Sequence, residues 1–211
     1  MQAVNPFLPS WEYIPDGEPH VFDGRIYLFG SHDRFDGDGY CMNDYVCYSA
    51  DTKNLKEWRY EGVIYRKNQD PRNQEGGHCM WAPDVAKGLD GRYYLYYCLD
   101  VLPEIGVAVS NAPTGPYEFM GLVHYPDGTP LGRKEKDYIQ FDPGILIDED
   151  GECYLYSGNG PRCKGLHENK ASQVMRLEAD MVTLKENPRL LLPTTETSEG
   201  TGFEGFEFYE A

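Results

Sequence analysis

One hairpin pattern recurs three times along the chain, and this repeat constrains the fold more than any other feature. Each copy opens with a proline and a short apolar run: Pro19-His20-Val21-Phe22, Pro83-Asp84-Val85-Ala86 and Pro143-Gly144-Ile145-Leu146-Ile147. An Asp-Gly pair follows (Asp23-Gly24, Asp90-Gly91, Asp150-Gly151), and then an aromatic-rich run (Arg25 to Phe29, Arg92 to Tyr97, Glu152 to Tyr156). Asp-Gly between two β-forming runs predicts a hairpin, because both central residues of a type I′ turn need positive φ. The three prolines stand at 19, 83 and 143, spacings of 64 and 60.

Further β-prone segments follow each hairpin. Val46 to Asp51, Val107 to Ala112 and Val174 to Ala179 read as third strands. Trp58 to Tyr60, Tyr117 to Phe119 and Arg189 to Leu192 read as fourth strands. Four antiparallel strands per repeat of about 60 residues describe a propeller blade. The expected fold is therefore all-β: a propeller of about three blades (12–65, 79–125 and 138–195), with the start of a fourth at 200–211. An ordinary β-sandwich is the alternative, and the matched order of turn and strand types argues against it. Helical periodicity is scarce; residues Asn54 to Trp58 offer one candidate turn.

Composition narrows the function. The chain has 211 residues, 19 Lys plus Arg against 35 Asp plus Glu, and a formal charge of −16. Nucleic acid and anionic membrane surfaces need clustered positive charge, so neither is an expected partner. The 17 Tyr, 9 Phe and 3 Trp supply the apolar surface that a disordered acidic chain lacks. No basic segment followed by an apolar stretch opens the chain, which predicts a cytoplasmic protein. Six cysteines are dispersed with no Cys-x-x-Cys pair, so reduced, buried thiols are expected rather than a zinc site. Asp36-Gly37-Asp38-Gly39 lacks the spaced ligands of a calcium loop and reads as a solvated turn. The histidines show no metal-like spacing, and the Gly-x-Ser-x-Gly of a serine hydrolase is missing.

In a propeller the first strand of each blade lines the central channel. Acidic residues at the starts of those strands, Asp16 and Glu18, Asp84, and Asp142, would then converge on one end. Any one of them alone reads as a turn or cap residue. Clustered carboxylates repel and perturb one another, an arrangement found chiefly at functional sites.

Four segments occur in order: Asn5-Pro6-Phe7-Leu8-Pro9, Pro15-Asp16-Gly17-Glu18-Pro19-His20, Trp81-Ala82-Pro83-Asp84-Val85 and Asp142 to Gly151. Together they resemble glycoside hydrolase family 43, from about residue 5 to the last residue. The resemblance implies a five-bladed propeller and an inverting glycosidase with three catalytic carboxylates. Asp16 would be the general base, with Glu18 in reserve, and Asp142 the carboxylate that tunes and orients the acid. The acid itself is implied at the C-terminus, where Tyr209-Glu210-Ala211 fits one form of the family motif. Glu210 is preferred, then Glu204, then Glu207. In such chemistry one carboxylic acid protonates the leaving oxygen while a carboxylate about 6.5–9.5 Å away deprotonates water.

Trp81 would form the apolar wall of the sugar subsite, unless it is simply a core indole. His32 and Phe35, just after a second strand, are expected at the channel rim. No cofactor is required, although the resemblance leaves room for a calcium ion in the channel. Five blades need roughly 300 residues by this spacing, so the remaining blades are expected from a longer polypeptide or from a second chain. The expected substrate is a hemicellulose-derived oligosaccharide ending in β-xylosyl or α-L-arabinofuranosyl units. A non-catalytic sugar-binding or partner-binding propeller fragment is the competing expectation, and a fructoside- or mannoside-active propeller a more distant one.

Overall fold

A computed structural model of the chain describes residues 6–158 and 172–191. Among these residues, twelve strands form three separate four-stranded antiparallel sheets. The first holds β1 (Glu18–Phe22), β2 (Arg25–Gly30), β3 (Tyr45–Asp51) and β4 (Asn54–Tyr65) in that order. The second holds β5 (Asp84–Lys87), β6 (Tyr93–Cys98), β7 (Ile105–Ser110) and β8 (Glu118–Leu122). The third holds β9 (Phe141–Ile147), β10 (Cys153–Gly158), β11 (Gln173–Leu177) and β12 (Arg189–Leu190). Each sheet meanders in chain order, as a propeller blade does. Among the described residues no helix is long and apolar enough to cross a membrane.

Only the first hairpin uses the turn expected of Asp-Gly. Phe22 pairs with Arg25, leaving Asp23 (φ 50°) and Gly24 (φ 80°) as the two residues of a type I′ turn. At the second and third copies only the glycine is left-handed, Gly91 at φ 82° and Gly151 at φ 84°. There the loop is longer: Gly88 N donates to Arg92 O and Asp148 N to Glu152 O, both outside the strands. Asp90 and Asp150 instead accept the amide two residues on, at 3.0 and 2.9 Å. An aspartate that can bond its own backbone does not need positive φ, so the same dipeptide builds two turn types.

Residues Asn54 to Trp58 are not a helical turn; they are the first part of β4. Register shifts in the β3–β4 ladder disturb the two-residue alternation, which explains the misleading pattern.

The blades stack through alternating faces of single strands. Along β6, Tyr93, Leu95 and Tyr97 pack toward blade one against Tyr27, Phe29, Tyr45 and Cys47. Tyr94 and Tyr96 pack the other way, against Ile145, Cys153, Leu155 and Met175 of blade three. Blade two is thus covered on both faces, and every residue of β6 is buried. The outer face of blade one (Leu28, Val46, Tyr48) is covered by Leu8, Ile14 and Trp58. In β10 the alternation reappears: Cys153, Leu155 and Ser157 are buried while Tyr154 and Tyr156 are only half-buried.

A polar staple joins blades one and two. Asp70, in the β4–β5 connection, is 0% exposed and accepts from Arg72 Nη2 at 2.6 Å and Tyr97 Oη at 2.6 Å. Tyr97 Oη also meets Tyr65 Oη at 2.9 Å, and Arg72 reaches Glu104 at 3.3 Å. Burial alone would raise the Asp70 pKa, but the hydrogen bonds from Arg72 and Tyr97 and the guanidinium charge bring it below the usual carboxylate value. Cys41, Cys47, Cys79, Cys98 and Cys153 are free thiols.

Candidate active site

The two-residue turn at Asp23-Gly24 sets the register of the whole first hairpin, ending with Glu18 opposite Phe29. Continuing that register two steps puts residue 31 opposite residue 16. Ser31 Oγ indeed donates to Asp16 Oδ2 at 2.8 Å, with Pro15 O also within reach at 3.1 Å. Asp16 is solvent-exposed and has a left-handed backbone (φ 54°). The segment carrying it lies so close to β2 that a Cβ on Gly30 would fall 2.4 Å from Ile14 Cγ2 and 3.1 Å from Pro15 O. Gly30 is therefore required by the placement of Asp16.

Asp84 opens β5 and is 6% exposed. Its Oδ1 lies 2.5 Å from His20 Nε2 and accepts the Val85 amide at 2.7 Å. Its Oδ2 accepts the Ile145 amide of β9 at 2.7 Å. One carboxylate thus contacts the first strands of all three blades. Glu18 stands beside it, its pKa raised by partial withdrawal from water and by the charges of Asp84 and Asp16, with His20 opposing. Burial works against the His20 imidazolium, but the Asp84 bond and the nearby acidic charges outweigh it and raise its pKa.

Asp142 sits in β9 at φ 44°, beside Pro143. The β9–β10 register runs from Gly144 opposite Tyr156 to Phe141 opposite Gly158, so β9 carries an extra residue there. A bulge of this kind re-aims a side chain, and Pro143 suits it because it lacks the amide a regular ladder would use. Asp142 acts electrostatically on buried Cys98 and Tyr45, which in turn neighbour Cys41, and Cys41 also feels Asp16. Asp16 thus neighbours Cys41, and Asp142 neighbours Cys98 and Tyr45, at the blade end marked by the last residue of β6 and the first of β3.

Trp81, three residues before Asp84, lies at that end too. Its ring centroid is 5.5 Å from Phe141 and 6.4 Å from Tyr40. Its amide donates to Cys98 O at 3.1 Å, and its carbonyl accepts from Tyr45 Oη. The indole Nε1 is buried and has no acceptor among the described residues.

The other expected site residues are placed differently. His32 has both ring nitrogens engaged within blade one, Nε2 with Glu12 at 2.8 Å and Nδ1 with Asp44 O at 3.2 Å. It braces the 6–14 segment against the blade instead of presenting a nitrogen to a ligand. Phe35 is 76% exposed, with its ring 6.0 Å from Tyr13. Glu204, Glu207 and Glu210 lie outside the described residues. Ser31 and the His20–Asp84 pair were not anticipated. The turn register would have revealed Ser31, whereas contact between three blades leaves no local signal.

Glu18, His20 and Asp84 each offer a ligand atom within 4.8 Å of one another. This set does not fit the calcium ion that the family resemblance left room for. Calcium takes six to eight oxygen ligands, whereas here one donor is an imidazole nitrogen already bonded to Asp84. Both Asp84 oxygens are also taken up by backbone amides.

Comparisons with known proteins agree with this architecture. The chain matches the family model "Glycosyl hydrolases family 43" over residues 8–211. It is 55% identical over 210 residues to a xylosidase/arabinosidase of Thermoclostridium stercorarium, covering 100% of this chain and 44% of that protein. A xylosidase/arabinosidase of Bacteroides ovatus is 31% identical over 220 residues, covering 91% of this chain and 63% of that one. Among solved structures, RS223 β-xylosidase superposes with a TM-score of 0.66 at 29% identity, over 85% of this chain and 59% of the other. An α-L-arabinofuranosidase of Clostridium thermocellum gives 0.58 at 29% identity, over 83% and 55%. The chain therefore spans about half the length of the relatives it matches, and the described sheets are three blades of a five-bladed propeller. With that match across nearly its whole length, the chain belongs to glycoside hydrolase family 43.

Proposed function

We propose that this chain carries the base side of an inverting glycosidase that removes terminal β-xylosyl or α-L-arabinofuranosyl units from hemicellulose-derived oligosaccharides. The observation that carries the reading is the placement of Asp16. It is exposed at the leading end of β1, Ser31 fixes one of its oxygens, and among the described residues no hydrogen bond engages Oδ1. A carboxylate held by one oxygen and wet at the other can orient and deprotonate a water. Asp142 is the second carboxylate of the proposal, holding the protonated acid in place and favouring its neutral form through like charge. Glu210 is the proposed acid, protonating the leaving oxygen as the glycosidic bond breaks. Trp81 and Phe141 supply an apolar wall at the sugar ring. The names of the relatives support the substrate class. The rest of the propeller completes the channel, from the same polypeptide or from a second chain.

The test is hydrolysis of 4-nitrophenyl β-xyloside and 4-nitrophenyl α-L-arabinofuranoside by wild type and by Asp16→Ala, with the anomer of the first product followed by NMR. Turnover with inversion in the wild type, and a fall of at least about 10³-fold in Asp16→Ala, support the reading. Sugar binding without turnover, unchanged by Asp16→Ala, would favour a non-catalytic binding propeller. Retention at the anomeric carbon would remove Asp16 from the role of base.

A further inference from the structure

We infer that Asp84 is a positioning residue, a clasp that sets the spacing between the strand carrying Asp16 and the strand carrying Asp142. This rests on the glycosidase reading given above, and it assigns a task to a carboxylate that the three-acid chemistry leaves unused.

Asp84 is poorly suited to touch a substrate. It is 6% exposed, and each of its oxygens is held by N–H donors of the protein. Oδ1 meets His20 Nε2 at 2.5 Å and the amide of Val85 at 2.7 Å. Oδ2 meets the amide of Ile145 at 2.7 Å. These partners belong to β1, β5 and β9, the first strands of three successive blades. The three sheets share no strand ladder. Backbone hydrogen bonds do cross between blades, Tyr117 N to Ile64 O at 2.9 Å and His124 N to Val182 O at 2.9 Å, but neither ties one first strand to another. Between the first strands themselves, side-chain packing resists separation but tolerates sliding, whereas directed hydrogen bonds to a single carboxylate fix both distance and height.

The clasp sits where sliding would matter. His20 is four residues from Asp16 and Ile145 is three from Asp142, while Trp81 is three residues before Asp84 itself. A shift of one first strand against the next is passed along a few residues of extended chain to the carboxylate at its leading end. The base must keep a water-sized gap from the sugar carbon, and a misplacement of about 1 Å costs on the order of 100-fold in rate. Glu18 on β1 and Asp16 two residues before it are the acidic neighbours of the cluster, and Asp84 and Glu18 both favour the protonated His20. A charged imidazolium strengthens its tie to the carboxylate.

The experiment is a double-mutant cycle on kcat in the full-length protein, using Asp84→Ala, His20→Phe and the double variant. Asp16→Ala is the catalytic reference, and the thermal midpoint and the exchange rate of the Ile145 amide are followed in parallel. His20→Phe cuts only the tie to blade one and keeps an aromatic ring beside Phe22 and Phe29, its present neighbours. The expected result is a fall in kcat of about 100-fold for Asp84→Ala and about 10-fold for His20→Phe, with KM within about threefold of wild type. The double variant should be no slower than Asp84→Ala, because both break one clasp. Ile145 amide exchange should accelerate in Asp84→Ala and in the double variant, and stay unchanged in His20→Phe.

A purely structural Asp84 would lower the thermal midpoint and leave kcat intact at temperatures where the variants are folded, and that outcome overturns the inference. If Asp84→Ala does not fold, His20→Phe decides alone: an unchanged kcat overturns the clasp and a selective loss supports it. A wild type without turnover, or an Asp16→Ala that stays active, sinks the glycosidase reading and the inference with it. Active wild type, inactive Asp16→Ala and indifferent Asp84→Ala sink only the clasp.

Discussion

Replacing Asp70 with alanine should show how much of the junction between blades one and two rests on one buried carboxylate. Asp70 is 0% exposed, and Arg72 beside it is 17% exposed, so neither charge can be replaced by bulk water without opening the interface. Asp70 accepts from Arg72 Nη2 at 2.6 Å, from the Arg72 amide at 2.8 Å and from Tyr97 Oη at 2.6 Å. Its loss leaves the Arg72 guanidinium with Glu104 alone, at 3.3 Å. Removing one partner of a buried pair costs about 3–5 kcal/mol, because the other charge stays behind undercompensated, here with Glu104 as its remaining acid. For a chain of this size each kcal/mol lowers the melting temperature by about 2–4 °C, so a drop of about 6–20 °C is expected. Thermal unfolding followed by tyrosine and tryptophan fluorescence measures it, and urea unfolding gives the free energy, with Asp90→Ala as the control. Asp90 also pairs with an arginine, Arg92 at 2.6 Å, but both side chains are more than two-fifths exposed (41% and 45%), and that variant should lose less than about 1 kcal/mol. The sign with pH follows from the lowered Asp70 pKa. Its contribution is complete above the ordinary carboxylate value of about 3.9 and disappears as pH falls through the still lower folded value. A loss at neutral pH no larger than that of Asp90→Ala would refute the picture of a buried charge stripped of its main partner.

Two further outcomes follow from the site. Gly30→Ala should displace the segment around Asp16, because the added Cβ would meet Ile14 Cγ2 at 2.4 Å and backbone at 3.1 Å. The expected cost is about 1–3 kcal/mol in urea unfolding, with a fall in kcat larger than that of Gly121→Ala, where the added Cβ meets nothing. Cys41 is 1% exposed and burial pushes its thiol pKa up to about 12, so in folded protein at pH 8 it should resist iodoacetamide while half-buried Cys79 reacts. Peptide mass spectrometry reads the ratio, and equal labelling of the two cysteines before unfolding would contradict the burial.

The repeat, the strand order within each blade and the family were all legible from residue identity. The β-propensity of tyrosine-rich runs, the Asp-Gly turns and the period of about 60 residues are properties of short segments, and short segments decide local structure. Even the Asp16–Ser31 contact is local in this sense, since a two-residue turn sets every pair of the hairpin above it. The choice between a type I′ turn at Asp23-Gly24 and longer loops at the other two copies was not local, because the same dipeptide occurs in all three. Neither was the fate of His32, whose two ring nitrogens are engaged by Glu12 and the Asp44 carbonyl. Tertiary structure alone decided that Asp84 reaches His20 and Ile145, residues 64 and 61 positions away. Strand and turn energies act over a few neighbouring residues, whereas the distance between blades comes from how their faces pack, which no single segment encodes.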